Sequence, residues 1–494
     1  MFDLDFFKKI MWPDDPAFPN SRTISHDELL PDGLTMGTLY IGRQGTGKTS
    51  SLARHLVDYF KAYPNRAIFV LDWSGSITDN ILSLISSESE SEKFIKRLVY
   101  DEMGHPEFTV PMPEFSHLYG FGYEEQVQRV SNNLTKLAPE LIRDAPFLAG
   151  LGLREIAPQI FRVLTSITNE YGETWQVTEA KKLIADPLLL RKCVDLYGYK
   201  VPEAKWFLER IFLAIKPAER ELRSYALTAL LGAVEPAATR ARVGFYRPAW
   251  TPKEAIKKGL IVLVNGARLI NQKNTQHYLF TQVYSLIMSE INKRTPGDPN
   301  DEPVALVMDE VYSLLSIPGM AEEVGMLSPL YRSRKLELYI VLQALSQLAP
   351  TLRQQIWSIG NIVSFAVSNF EEAFELAQQI FPYDPATVKL SAKTENQNPV
   401  TEPDRGQYLK IANDLQRMQH RECIIRRYRS EKILDKNVLW VKKTKEISNL
   451  PSKSNVDELK ERMMQERGVR IRDALEVINK RNVKAETQSK PPAL

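Results

Sequence analysis

The segment at residues 42–49 constrains the fold of this chain more than any other feature. It reads Gly42-Arg43-Gln44-Gly45-Thr46-Gly47-Lys48-Thr49 and matches the phosphate-loop pattern G-x-x-x-x-G-K-[ST] at every position. An apolar run at 39–41 precedes it, and an amphipathic segment from Ser50 to Ala62 follows, which predicts a strand, a loop and a helix. Such a loop directs backbone N–H groups and a helix N-terminus at an anion.

The pattern therefore predicts a nucleoside triphosphate site. We expect residues 42–50, ending with Ser50, to bind ATP, with the Lys48 ammonium group at the β- and γ-phosphates. The hydroxyl group of Thr49 is expected to hold Mg²⁺.

Composition limits the class of protein. The chain has 494 residues, of which 43% are hydrophobic and 25% charged, as expected for a globular protein of two to four domains. A net charge of only +3 means that any contact with nucleic acid must come from local basic patches. The two cysteines, Cys193 and Cys423, are far apart, and the six histidines show no metal-ligand spacing. We find no signal peptide or membrane-spanning run, and expect a cytoplasmic protein.

The chain is predicted to contain one α/β nucleotide domain interrupted by helices. Further apolar runs at 67–72, 97–100, 259–264, 304–309, 338–343 and 361–365 alternate with helical segments, which favours a mainly parallel sheet. Between Tyr123 and Ala238 the apolar residues follow helical spacing. Short breaks between those helices are expected at Pro139, Pro146, Gly150 to Gly152, Pro158 and Pro187.

Five regions follow from this pattern. They are an N-terminal extension (1–30), the ATPase domain (31–115 and 240–405), an inserted helical domain (116–239), a basic β-hairpin region (406–450), and a charged helix with a tail (451–494). We expect the apolar and aromatic residues of the first dozen to pack on the domain.

The second half of an ATPase signature lies at residues 304–310. An apolar strand ends there in Asp309 and Glu310, which is the Walker B arrangement. We predict that Asp309 holds the Mg²⁺ ion, and that Glu310 orients or deprotonates the attacking water. The adjacent glutamate favours hydrolysis over nucleotide binding alone.

Two further polar residues are catalytic candidates. Arg332, in preference to Arg334, is predicted to reach the γ-phosphate of a neighbouring subunit; the alternative is a solvated basic helix end. Gln343 follows another core strand and is predicted to sense the γ-phosphate, the alternative being a polar residue that only caps the strand.

Taken together, the motifs resemble one group of motor proteins. The phosphate loop, the segment Asp72-Trp73-Ser74-Gly75, the Asp309-Glu310 pair, Arg332 and Gln343 occur in the order seen in the HerA–FtsK superfamily. The helical insertion is similar to that of type IV coupling proteins of the TraG class, in which an Asp-Pro-Lys-Gly-like segment typically follows the second strand. The resemblance implies a RecA-like α/β P-loop fold with an inserted all-α domain. It also implies a homo-hexameric ring that hydrolyses Mg-ATP at subunit interfaces and moves double-stranded DNA.

Other functions remain open at this stage. A type IV secretion-type ATPase that energises protein export or pilus assembly is the alternative, and a nucleotide-gated assembly protein is a third. Coupling proteins usually carry N-terminal membrane helices; this chain shows none, so we expect a soluble relative, or one that a membrane or secretion-system partner recruits. Candidate DNA contacts are Arg240, Arg242, Arg247, Lys253, Lys257, Lys258, Arg426, Arg427, Arg429, Lys442 and Lys443, although each is equally compatible with an ordinary solvated surface.

Overall fold

Apolar runs in the sequence become buried strands in the structure. The computed structural model describes residues 37–87, 91–141, 146–169, 173–317, 320, 323–324, 333–357, 359–381, 404–426, 438–441 and 453–487. Its strands are β1 Thr38–Ile41, β2 Ala67–Asp72, β3 Leu98–Glu102, β4 Phe108–Thr109, β5 Ile261–Asn265, β6 Val304–Asp309, β7 Leu336–Leu342, β8 Asn361–Phe365, β9 Cys423–Arg426, β10 Val438–Val441 and β11 Val469–Arg470. All residues of β1, β2, β5, β6, β7 and β8 are buried, as expected for a sheet covered on both faces.

Within the described ranges, nine of these strands form one sheet. Their order is β10-β9-β8-β1-β7-β6-β2-β5-β3. Every neighbouring pair from β8 to β3 is parallel, whereas β9 pairs antiparallel with β8 and β10 pairs antiparallel with β9. The predicted mainly parallel α/β fold is confirmed, and β9 and β10 form the expected antiparallel pair at one edge of the sheet.

The helices begin and end as follows. They are α1 Lys48–Ala62, α2 Ser76–Ser86, α3 Ser91–Ile95, α4 Tyr123–Leu141, α5 Pro146–Ser166, α6 Val177–Ala185, α7 Pro187–Tyr197, α8 Pro202–Phe207, α9 Pro217–Leu231, α10 Ala237–Gly244, α11 Pro252–Lys258, α12 Lys273–Asn292, α13 Tyr312–Leu315, α14 Pro350–Ile356, α15 Phe370–Ile380, α16 Asp404–Arg417, α17 Lys453–Arg467 and α18 Ile471–Thr487.

The helical region between β4 and β5 packs as its apolar spacing predicts. Val127, Val130, Leu134 and Leu137 are fully buried and belong to the same continuous apolar core as the sheet. Two of the predicted helix breaks are wrong, since Pro139 lies inside α4 and Pro158 inside α5. The same applies to the glycines at 150–152, which α5 also contains.

Proline is tolerated inside α5 for a physical reason. Proline removes one helical hydrogen bond, but Pro158 is buried between turns of α5 that carry the fully buried Ile160 and Phe161. Burial of this apolar face offsets the lost bond. Pro146 and Pro187 instead stand at the first residue of α5 and α7, where no amide hydrogen is needed.

The charged C-terminal segment divides into two helices. Gly468 lies between α17 and β11, and its amide nitrogen donates a hydrogen bond to the Met464 carbonyl at 2.8 Å. A Cβ atom on Gly468 would lie 2.4 Å from that same oxygen, so only glycine permits this helix end. The strand β11 then pairs antiparallel with β4. The predicted domain boundaries stay a prediction, and the N-terminal residues 1–36 lie outside the described ranges.

Strand register places the predicted site residues along one edge of the sheet. Ile41 at the end of β1 pairs with Leu342 at the end of β7, so Gly42 and Gln343 leave the sheet side by side. Asp72 at the end of β2 pairs with Asp309 at the end of β6. Because parallel strands share one carboxyl edge, residues far apart in sequence meet there.

Candidate nucleotide-binding site

The glycine-rich loop passes very close to the neighbouring strand. Gly42 has a φ angle of 150°, and a Cβ atom on it would lie 2.7 Å from Cβ of Phe365. The next residue secures this approach, since the Arg43 amide donates to the Ala366 carbonyl at 2.7 Å. Glycine is therefore required at position 42 by packing against β8, independently of any ligand.

The loop ends at the first turn of α1. Gly47 is the N-cap of the helix in a left-handed conformation, with φ of 99°. The Thr46 hydroxyl donates to the Arg43 carbonyl at 2.8 Å, and the Ser50 hydroxyl donates to the Gly47 carbonyl at 3.0 Å. The free amide groups of the first helical turn consequently open toward the edge of the sheet, where an anion is stabilised.

Lys48 is buried at the base of this loop. Its ammonium group donates to the carbonyl oxygens of Gly42 and Arg43, the latter at 2.8 Å. Burial lowers the pKa of Lys48 to about 8, and the carboxylates of Asp309 and Glu310 act in the opposite direction. The Lys48 ammonium group therefore interacts electrostatically with the carboxylates at the end of β6, as expected for an ATPase signature.

Three carboxyl groups gather on the other side of the site. Asp72 is fully buried, Asp309 is 3% exposed and Glu310 is half-buried. Burial, together with the nearby carboxylates of Asp72 and Glu310, raises the pKa of Asp309 to about 7. Burial also raises the pKa of Glu310, with Asp72 as the next cause. The raised pKa values show that the charged forms of these carboxyl groups are destabilised in the cluster, and a bound cation would stabilise them.

The available ligands suit Mg²⁺. Thr49 and Asp309 offer a hydroxyl and a carboxylate oxygen, and Mg²⁺ takes one or two protein ligands together with substrate phosphates. In the part of the chain that is described, no group of three or more His, Cys, Asp and Glu side chains is arranged to hold a metal ion by itself. The metal assignment of Thr49 and Asp309 stays a prediction.

Glu310 adopts a strained backbone conformation. Its φ angle is 48°, in the left-handed region that a glutamate rarely enters. One carboxylate oxygen accepts a hydrogen bond from the Gln343 amide group at 3.4 Å. Two predicted catalytic residues from β6 and β7 are thus brought together, and strain of this kind is common at active sites.

Asp72 was not predicted as a site residue, although it belongs to the segment that carried the family resemblance. It accepts hydrogen bonds from the Gly75 and Thr78 amides, both at 2.8 Å, and from the Ser74 amide at 3.2 Å. These bonds hold the turn that begins α2, and within that turn Ser76 donates its hydroxyl to Asp309 at 3.2 Å. The segment therefore positions the carboxylate that is expected to bind the metal.

The role of Arg332 between subunits stays a prediction. Arg332 lies outside the described residues. Arg334 lies within them, and its guanidinium group donates to both the side-chain and the main-chain oxygen of Asn292, at 2.8 and 2.5 Å. These bonds tie Arg334 to the end of α12 in the same subunit.

One candidate DNA contact has to be corrected. Arg242 is 2% exposed and forms a bidentate ion pair with Asp101, at 2.6 and 2.8 Å, so it cannot reach a DNA backbone. Arg247 is exposed and lies 3.7 Å from Glu173, while Arg240 donates to Asn479 at 3.0 Å. Arg427, Arg429, Lys442 and Lys443 lie outside the described residues.

The order of the parallel strands and the glycine-rich loop after β1 define a RecA-like P-loop fold. No family model and no curated protein matches the chain in sequence. Among solved structures, the chain is similar to the bacterial conjugative coupling protein TrwBdeltaN70 in its unbound monoclinic form. The TM-score is 0.57 and the sequence identity 12%, and the match covers 90% of this chain and 92% of that chain. Its trigonal form in complex with sulphate has a TM-score of 0.56 and 12% identity, over 88% of this chain and 96% of that chain.

This similarity confirms the predicted fold class and the predicted resemblance to coupling proteins. VirB4 of Thermoanaerobacter pseudethanolicus matches at a TM-score of 0.43 and 12% identity, over 85% of this chain and 91% of that chain. None of the helices within the described ranges combines the length and apolar character needed to cross a bilayer.

Proposed function

We propose that this chain is an ATP-driven motor of the conjugative coupling kind, which hydrolyses Mg-ATP at the subunit interfaces of a homo-hexameric ring and moves double-stranded DNA. The observation that carries the proposal is the joint placement of the P-loop, Asp309, Glu310 and Gln343 on a fold that matches a coupling protein over 90% of this chain. In this proposal the protein acts in the cytoplasm, and a partner would hold it at a membrane where that is needed.

The residues divide the chemistry of phosphoryl transfer between them. The loop amides and Lys48 would hold the β- and γ-phosphates, and Thr49 and Asp309 would hold Mg²⁺. Bound Mg²⁺ neutralises charge that develops on the phosphate oxygens. Glu310 would act as the general base; its raised pKa and its hydrogen bond from Gln343, at the end of β7, support this role.

A DNA-dependent ATPase assay tests the proposal. Saturating duplex DNA should raise the hydrolysis rate of the wild-type chain, and the effect should weaken as salt is increased because phosphate contacts release counterions. Lys48→Ala provides the background rate. An unchanged rate with DNA, together with a rate raised by a secretion component, would instead support the protein-export or pilus-assembly alternative.

The interface role of Arg332 needs a separate test. Arg332→Ala subunits should bind ATP but fail to hydrolyse it in the ring. Adding Lys48→Ala subunits, which keep Arg332 but cannot use ATP, should partly restore turnover. Measuring the mass of the assembly with a slowly hydrolysed ATP analogue gives the ring size; absence of rescue in a confirmed ring would exclude action between subunits.

A further inference from the structure

A turn from the C-terminal part of the chain lies directly on the P-loop. This turn, Gln419–Glu422, connects α16 to β9. Because β9 runs antiparallel to β8, with Cys423 paired to Phe365, it starts at the edge where the parallel strands end. The antiparallel direction therefore brings a segment some 370 residues away in sequence to the phosphate loop.

Two hydrogen bonds connect the turn to the loop. The Arg421 amide donates to the Thr46 carbonyl at 2.9 Å, and Nδ1 of His420 lies 2.7 Å from the Gly45 carbonyl oxygen. A carbonyl oxygen can only accept, so Nδ1 of His420 must carry the hydrogen. The turn thus binds outward-facing carbonyls of the two residues that precede Gly47.

Side-chain packing strengthens this contact. A Cβ atom on Gly47 would lie 3.0 Å from Cγ of Arg421, so the arginine stem rests on the loop where it enters α1. Arg421 is 7% exposed and has a φ angle of 68°, a strained conformation held by its surroundings.

The turn is itself firmly held. The Glu422 amide donates to the Gln419 carbonyl at 3.1 Å, and the Glu422 carboxylate accepts from the Gln419 amide at 2.9 Å. On its N-terminal side, α16 packs on α15, and Gln416 donates to the Ser368 carbonyl at 3.1 Å. The turn is consequently a preformed support for the loop.

We propose that His420 is a positioning residue for the P-loop: by donating to Gly45 it holds the loop in its phosphate-binding shape and so sets the affinity for nucleotide. The histidine does not contact the reacting atoms in this proposal. It acts on binding and leaves the chemical step unchanged. The inference rests on the proposed nucleotide binding by this loop, but not on DNA transport or ring formation.

A matched pair of substitutions isolates the hydrogen bond. In asparagine the amide nitrogen is bonded to Cγ, as Nδ1 is in histidine, so asparagine can donate a hydrogen bond from a similar position. Leucine has nearly the same shape as asparagine but carries no donor. His420 is exposed, so neither His420→Asn nor His420→Leu removes core packing. His117→Leu, at an exposed histidine in the 3₁₀ turn His117–Tyr119, is the control.

The measurement is equilibrium binding of a fluorescent ATP analogue with Mg²⁺, without DNA or partner, followed by steady-state ATPase kinetics. His420→Leu should raise Kd and KM about three- to tenfold, the range expected for one hydrogen bond, with kcat within about twofold. His420→Asn should restore both constants to within about twofold of wild type. His117→Leu should leave them unchanged, and thermal unfolding should be the same in all variants.

Three results would overturn the inference: wild-type affinity in His420→Leu, equal losses in the leucine and asparagine variants, or a fall in kcat with unchanged Kd. Lys48→Ala separates this failure from that of the site itself. If Lys48→Ala also binds the analogue like wild type, the nucleotide assignment fails; if it loses binding while the His420 variants do not, only the role of His420 is wrong.

Discussion

Two strands of the sheet end in the same dipeptide, Asp-Glu, and the structure treats them differently. In β3, Asp101 is fully buried and forms the bidentate ion pair with Arg242, while Glu102 lies 3.0 Å from the guanidinium group of Arg268. At the end of β6, Asp309 is nearly as buried, and within the described ranges it accepts hydrogen bonds only from the Ser76 hydroxyl and the Glu310 amide. Among the described residues, no lysine or arginine forms an ion pair with Asp309.

The two buried aspartates therefore differ in how their charge is compensated. Burying a carboxylate is costly unless a cation compensates it. Asp101 receives its cation from the chain. Burial is the main reason that the pKa of Asp309 is raised, followed by repulsion from Asp72 and Glu310, so a Mg²⁺ ion bound here would stabilise the charged form of Asp309.

The largest expected effect is on hydrolysis, and it should be confined to β6. Glu310→Gln removes the general base and should reduce kcat by about 100-fold or more, while ATP binding is retained. Glu102→Gln makes the same change at the end of β3 and should leave kcat within about threefold. Comparable losses in single-turnover measurements of the two variants would abolish the distinction between the strand ends.

The next effect is on stability, and it should be confined to β3. Arg242→Met leaves Asp101 buried without a partner and should lower the free energy of unfolding by about 3–5 kcal/mol. The double variant Arg242→Met, Asp101→Leu should recover part of that loss, because it removes the uncompensated charge as well. Urea unfolding provides the measurement; a single variant as stable as wild type would show that the pair is not needed.

A smaller change in stability is expected at Asp309, and here the substitution should stabilise the fold. Its pKa rises from 3.8 to about 7 on folding, so its contribution to stability is present below about pH 4 and is lost as the pH rises to 7. Asp309→Asn has no such loss and should be more stable than wild type without Mg²⁺. The free energy of unfolding of Asp309→Asn should exceed that of wild type by about 2 kcal/mol more at pH 8.5 than at pH 5.5. Unfolding with a chelator at both pH values tests this, and an equal advantage would contradict the raised pKa.

The smallest effect is expected at Gln343. Its bond to Glu310 is long, at 3.4 Å, so Gln343→Ala should lower kcat by only about three- to tenfold, equivalent to about 1 kcal/mol. The test is whether the variant adds to Glu310→Gln: in the double variant the Gln343 substitution should have no further effect, because its partner is already gone. Full additivity would mean that Gln343 acts on something other than Glu310.

The sequence predicted some parts of the site well and others not at all. The strand–loop–helix at residues 39–62 and the strand before Asp309 were predictable because local spacing and a specific motif coincide. The burial of Arg242 was not, because an arginine near Phe245 and Tyr246 has the local appearance of a nucleic-acid contact, and its partner Asp101 lies 141 residues away. The break expected at Pro158 failed because tertiary packing outweighs a local helix-breaking tendency, whereas Pro139 is exposed and lies in the last turn of α4.

By itself, the sequence determined the functional groups on which the proposed chemistry rests: a glycine-rich loop with Lys48 and Thr49, and a buried strand with two carboxylates at its end. Only the tertiary structure decided that Asp101 is paired with Arg242 while Asp309 is not, that Asp72 stands beside Asp309, and that His420 reaches the loop. Motifs specify local backbone shape and functional groups. Strand order, register and direction bring distant residues to one edge of the sheet, and charge compensation in that setting depends on neighbours that the motif does not contain.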